Sequence, residues 1–337
     1  METISKKKIT YLINATLLDY LQRYARVRQL PIHYSDLKRY EGSLALYDKY
    51  GKDSLWVTAM YAQNSLEEIH EGLKAIYSIL KTGGDRSVHQ HLHIERVDYC
   101  TFGNSHPFRI KIVNNYNDVY DYFYIKQADA SRVYGLELEH LLSPSRISYF
   151  VDKKSLVEEH IAGIPGDIFI ERYLHTPDFN QKRIAKEFVK FNERCFARLL
   201  GDMRSYNYVF DMTPDFEEVQ FRIRAIDFDQ QSYEGRKNLY LPQFFKENKS
   251  LVDLVAKHFN EEVINQYKQE ERTLIDGRIK SSELQLKELL AVMAKDEIAP
   301  PEKLNMLKIE LGEWYKEDFS GCYSMGTLLQ RILYLGK

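Results

Sequence analysis

One stretch limits this chain more than any other. It runs from Ala197 to Asp229 and reads ARLLGDMRSYNYVFDMTPDFEEVQFRIRAIDFD. Asp202 is followed five residues later by Asn207. A short apolar strand, Tyr208-Val209-Phe210, comes next, then a polar turn, and then a second strand from Phe221 to Ile226 that ends in Asp227-Phe228-Asp229. The order is loop, strand, hairpin, strand, acid. Hard oxygen donors of this kind suit Mg²⁺, which is usually held by one or two carboxylates together with phosphates. The plainer alternative is a hairpin flanked by turn-capping Asp and Asn residues. Immediately upstream, residues 178–200 place Ile184, Phe188, Phe191, Cys195 and Leu199 at helical spacing, so an amphipathic helix leads straight into Gly201-Asp202.

Strands precede that helix. Glu95–Phe102, Pro107–Val113 and Val119–Gln127 read as a three-stranded antiparallel meander, turned at Gly103-Asn104-Ser105-His106 and at Asn114–Asp118. Lys126 sits near the end of the third strand among aromatic and apolar neighbours, where a lysine is either a snorkelling edge residue or the partner of an anion. Val133–Leu142 reads as a short helix with Glu137 and Glu139. Ile147–Val151 and Ser155–Ile161 read as a further strand pair running into Ala162-Gly163-Ile164-Pro165-Gly166.

Meander, lysine, Glu-bearing helix, strand pair, Gly/Pro connector, long helix, Asp-x4-Asn, hairpin and Asp follow one another in the order found in the protein-kinase-like superfamily. The chain resembles an atypical member of that superfamily, nearest in style to the aminoglycoside phosphotransferase branch. The resemblance implies an α+β, bilobal protein-kinase-like fold, with a five-stranded antiparallel small lobe over residues 94–165 and a mainly helical large lobe over 166–337. It implies ATP and Mg²⁺ as cofactors. Asp202 matches the catalytic Asp, and Arg204 lies where a cation leans on the transferring phosphoryl group. Asn207 and Asp227 match the metal-binding pair, and Asp229 stands where a glycine is usual, as a possible second carboxylate at the metal. Lys126 matches the phosphate-pairing lysine, Glu137 (in preference to Glu139) its helix partner, and Gly103 and Ser105 the turn over the phosphates.

Three departures accompany the match. The turn has one glycine, Gly103; Leu200 replaces the His or Tyr that usually braces the catalytic loop; and GRKNLYLPQFF follows Asp229 closely, with no long activation segment. The last departure fits a compact phosphotransferase better than a phosphorylation-switched protein kinase. The first two favour the alternative of a pseudokinase-type binding protein. Tyr124-Ile125-Lys126 and Val157–Gly163 also admit an ATP-grasp-like ligase, which would not need Asp-x4-Asn before a hairpin.

Residues 1–93 read as a mostly helical accessory domain. Ile9, Leu12, Ile13, Leu17, Leu18 and Leu21 recur at helical spacing, and Ser65-x-x-Glu68 forms a capping-box pattern ahead of Leu66, Ile69, Leu73, Ile76 and Leu80. Residues 53–61 fit strand or buried helix. The histidines of HQHLH (His89, His91, His93) would share a strand face, but no carboxylate or Cys stands at a metal-ligand spacing beside them, so a polar strand edge is expected. The tail from 239 reads as helical.

Composition bounds the rest. With 337 residues, a net charge of −2 and 44% apolar residues, the chain is of ordinary globular type, without the basic field expected of a nucleic-acid or anionic-membrane binder. No stretch approaches the roughly 20 apolar residues of a membrane span. Its 3 cysteines are far apart and odd in number, as expected of reduced thiols in a cytoplasmic protein.

Overall fold

The computed structural model describes residues 8–47, 51–85, 89–102, 105–177, 179–214 and 219–335. The chain forms two compact units of mixed helix and antiparallel strand. The first takes residues 1–129 and 147–160, the second 130–146 and 161–337.

The first unit contains, in chain order, α1 (Ala15–Arg23), α2 (Tyr34–Leu37), β1 (Gly42–Tyr47), β2 (Asp53–Met60), α3 (Gln63–Thr82), β3 (Leu92–Cys100), β4 (Phe108–Asn114) and β5 (Val119–Gln127). It resumes, after residues that belong to the other unit, with β6 (Tyr149–Asp152) and β7 (Ser155–Glu159). All these strands lie in one seven-stranded sheet of order β1-β2-β3-β4-β5-β7-β6. In β4, Phe108, Ile110 and Ile112 are buried while Arg109 and Lys111 alternate with them, the period-two signature of a strand with one core face. Val97, Tyr99, Phe123 and Ile125 join the same core, as does the apolar stripe Ile69, Leu73, Ile76 and Leu80 of α3. Each such burial contributes about 1.5–3 kcal/mol.

That shared core corrects the expected N-terminal domain. β1 and β2 extend the sheet, and Leu30, Ile32 and Leu37 sit in its core. The backbone N–H of Leu30 and the His33 ring both bond Asp152 of β6, each at 2.9 Å. The described part of residues 1–93 is therefore half of the sheet unit. Residues 53–60 are strand, and the sheet has seven strands where five were expected. The capping box is not made: α3 starts at Gln63, and Ser65 Oγ donates to the Ala62 carbonyl at 3.0 Å. His89–His91 form a 3-10 turn before β3 begins at Leu92, so the three histidines do not share a strand face.

The second unit comprises α4 (Ala130–Leu142), β8 (Ile164–Pro165), α5 (Gly166–Arg172), α6 (Gln181–Arg198), β9 (Tyr208–Pro214), β10 (Val219–Ala225), α7 (Lys249–His258), α8 (Glu261–Ser281), α9 (Glu283–Met293), α10 (Pro301–Tyr315) and α11 (Met325–Leu333). β9 and β10 form the expected hairpin, and β8 completes a three-stranded sheet. Helix α4 belongs here, which moves the expected domain boundary. Every residue of α4 except His140 is buried. Its polar groups are satisfied within this unit: Glu139 pairs with Arg198 of α6, Glu137 accepts from Gln285 of α9 at 3.2 Å, and Tyr134 donates to Asp296 at 2.9 Å. A charge buried this deeply follows its partner, because stranding it costs several kcal/mol. Among the described residues, no helix is long and apolar enough to cross a membrane.

Candidate functional site

The loop between α6 and β9 is fastened almost entirely by backbone. Leu199 ends α6 in the left-handed region (φ 53°), and the N–H groups of Leu200 and Ser232 bond the carbonyls of Cys195 and Leu199. Leu200 forms a β-bridge with Gln231, Gly201 N–H donates to Gln230 O at 3.2 Å, and Asp202 N–H donates to Leu239 O at 3.1 Å. These bonds supply the bracing that an aromatic residue at position 200 was expected to give. From below, the fully buried Asn248 donates to the carbonyls of Met203 (2.9 Å) and Pro242 (2.7 Å) and accepts from the Tyr208 hydroxyl (2.7 Å). Gly166 sits where any Cβ would lie 2.5 Å from the Ser205 carbonyl and 2.3 Å from the Tyr208 ring, so only glycine lets α5 approach the loop.

On this frame Asp202 takes φ 57°. Asp tolerates that region better than most residues, and such conformations gather at functional positions. Arg204 Nε donates to Asp202 Oδ1 at 2.9 Å, and its other branch reaches Glu247 at 3.0 Å. Asn207 Nδ2 donates to the Asp202 carbonyl at 2.7 Å, which leaves its carbonyl oxygen as the atom a cation would use. Burial pushes the Asp202 carboxyl up to about 6; Arg204 opposes the rise, and the charges of Asp227 and Glu234 add to it. A carboxylate titrating near neutrality is suited to take a proton from a hydroxyl.

Asp227-Phe228-Asp229 follows β10 and is gripped by the first turns of α4. Arg132, 1% exposed, donates from Nη2 to Asp227 Oδ1 and from Nε to Asp229 Oδ1, both at 2.6 Å. Ser131 Oγ donates to the Gln231 carbonyl at 2.7 Å. A Cβ on Gly135 would meet Phe228 Cβ at 3.0 Å and Gln231 Cβ at 3.1 Å, so a small residue is what brings the helix this close. The oxygens of Asp227 and Asn207 fit Mg²⁺ in type, and Mg²⁺ bound through phosphates needs few protein ligands. Asp229, 7% exposed, fits less well as a ligand, because it anchors Arg132. Among the described residues, no cluster of three His, Cys, Asp or Glu side chains is arranged around a metal position.

In the first unit, Lys126 lies on the sheet face opposite the core. Its Nζ donates to Glu158 Oε2 at 2.7 Å, and both groups are buried. Glu158 stands opposite Tyr124 in the β5–β7 register, one diagonal step from Lys126 and within reach of a long side chain. The carboxylate seated on Lys126 is thus that of a strand residue, whereas Glu137, the expected partner, is engaged by Gln285. Ser105 lies in the turn between β3 and β4, where the Tyr34 hydroxyl donates to the His106 carbonyl at 2.9 Å. Gly103 lies outside the described residues. Asp202, Arg204, Asn207, Asp227 and Asp229 all fall in the second unit, Lys126 and Ser105 in the first. Sequence reasoning passed over Arg132 and Asn248, and read Glu158 only as the start of a hinge backbone over residues 158–163 rather than as the partner of Lys126. Only Arg132, the one Arg or Lys in α4, carried a usable signal.

No family model and no curated protein matches this chain. Among solved structures it is similar to the autoinhibited serine kinase domain of the giant muscle protein titin, at 12% identity and a TM-score of 0.29 over 74% of this chain and 94% of that one. It is also similar to titin kinase with its flanking domains, at 11% identity and a TM-score of 0.27 over 73% of this chain and 55% of that one. A likeness this faint decides nothing, and the function proposed for the chain stands on its own residues.

Proposed function

We propose that the chain is a kinase-like phosphotransferase that uses ATP and Mg²⁺ to phosphorylate a hydroxyl group. The observation that carries the proposal is the Asp202 carboxyl, held in a left-handed loop beside Arg204 and Asn207 and titrating at about 6. Asp202 takes the proton as the acceptor oxygen attacks, and Arg204 holds the carboxylate's orientation and places positive charge beside the transferred group. Asn207 and Asp227 present oxygens to Mg²⁺, which when bound neutralises charge developing on the phosphates. Lys126, set by Glu158, is assigned to an ATP phosphate by the resemblance alone. The acceptor is a small molecule. In support, the chain after Asp229 passes through three single-turn helices into α7 with Tyr240 and Leu241 buried, which leaves no long segment to serve as a protein-substrate platform.

One observation favours a second reading, a kinase-shaped binding module without catalysis: Arg132 already neutralises both Asp227 and Asp229. Calorimetric titration with a non-hydrolysable ATP analogue, with and without Mg²⁺, separates the two. Magnesium-dependent binding that is lost in Asp227→Ala is the result expected of the enzyme. Binding indifferent to Mg²⁺ and to that substitution supports the module, and no binding to either protein overturns the nucleotide site altogether.

A further inference from the structure

A cleft rich in charged residues lies in the second unit, lined by α6, α8 and β10 and unconnected with the roles assigned above. Its volume is about 580 Å³, within the range of small-molecule sites. Half of its twelve lining residues are Arg or Lys, and two are Glu.

The cations arrive by the periodicity of each element. On α6, Arg183, Lys186, Lys190 and Arg194 recur at three- and four-residue spacing and so share one helix face. Arg222 of β10 points to the same cavity, and Arg278 enters from α8. Arg194 is 4% exposed and fixed between Glu187 (2.5 Å) and Glu271 (3.5 Å). Lys186 and Lys190 share one carboxylate, Glu270, at 3.4 and 3.0 Å. Among the described residues, the six cations that line the cleft include the partners of three carboxylates, Glu187, Glu270 and Glu271, so positive charge is concentrated along a concave surface. Burial first, and then the like charges of Arg194, Arg222 and Arg198, lower the proton affinity of Arg278 against the pull of Glu271. Phe221, Leu274 and Pro144 supply an apolar wall among the charges.

The chain carries no basic field overall, with a net charge of −2, so this concentration is local. Guanidinium groups gathered around a cleft are the arrangement that recognises phosphate-type oxygens. We propose that this cleft is a binding site for a small phosphorylated compound bearing at least two negative charges, its anionic groups on Arg222, Arg278 and the α6 cations and its body against Phe221 and Leu274. The site is separate from the Asp202 loop and does not depend on the reaction proposed there.

The test is calorimetric titration of the full chain with inorganic triphosphate in Mg²⁺-free buffer. Wild type is compared with Arg183→Glu/Arg222→Glu, with Asp227→Ala and with Lys287→Glu, a charge reversal on a remote exposed helix face. Both cleft arginines are exposed, so the double variant should fold, and its thermal unfolding is recorded as the check. The expected result is binding to wild type weakened at least tenfold in the double variant and unchanged in the other two. Equal binding to all four proteins, a loss in Asp227→Ala instead, or no binding to wild type each overturns the proposal.

Discussion

Arg204 meets Asp202 from two residues away, in a half-exposed loop, and divides itself between that carboxylate and Glu247. Arg132 meets Asp227 and Asp229 from a different helix, almost without exposure, and bonds both carboxylates. The first contact is a partly buried arrangement in which burial outweighs Arg204 and leaves the acid poised near neutrality. The second is a core arrangement that holds two acids in place as part of the fold. The acids that the proposal groups together are thus held in two different ways, and how firmly the second contact excludes a metal is what separates the catalytic proposal from the binding-only one.

The comparison breaks most sharply at Asp202. Asp202→Asn is expected to lower phosphoryl transfer by about 10²–10⁴-fold while leaving nucleotide affinity unchanged; equal loss of affinity in a binding titration would place Asp202 in the architectural class instead. Arg132→Ala should do the opposite. It removes the buried cation that bonds both carboxylates and is expected to cost about 3–5 kcal/mol in urea denaturation. A loss below about 1 kcal/mol would show the contact to be as dispensable as a surface pair.

Gly135→Ala probes the same grip with one methyl group. Phe228 and Gln231 must give way, at about 1–3 kcal/mol by the same denaturation measurement. The smallest effect is a pH signature. The folded value of Asp202, near 6, lies above the ordinary Asp value of about 3.9, so between these the native chain keeps a proton that the unfolded chain has lost. Its contribution to stability is full below the lower value and is lost as pH rises through 6. Asp202→Asn should therefore unfold at a higher temperature than wild type at pH 8, with the difference closing by pH 4.

Much of this arrangement was legible in residue order. The meander over β3, β4 and β5, the apolar face of α6, and the β9–β10 hairpin with acids at its ends all follow from local pattern, because each buries one face at its own period. What escaped depends on partners chosen across the chain. Glu158 reaches Lys126 only through the β5–β7 register, which no local spacing fixes. β1 is an edge strand with a burial pattern too shallow to show alternation, so its place in the sheet was hidden. Helix α4 reads as an ordinary amphipathic segment until Arg198, Gln285 and Asp296 are seen to claim its polar groups. Asn248 carries no signal in sequence, since its role is to satisfy carbonyls brought to it by folding.

The chain leaves the sheet unit after Asp129, returns at Ile147 and leaves again after His160. Because α4 is donated by the middle of one unit's sequence to the core of the other, no single cut separates two intact modules. Severing the chain at 160 would hand the N-terminal fragment a helix whose charges it cannot satisfy and leave the C-terminal fragment without the clamp on Asp227 and Asp229. Genetic recombination has the same difficulty. Neither half can be moved as a cassette, because α4 is held by residues 59 or more positions downstream.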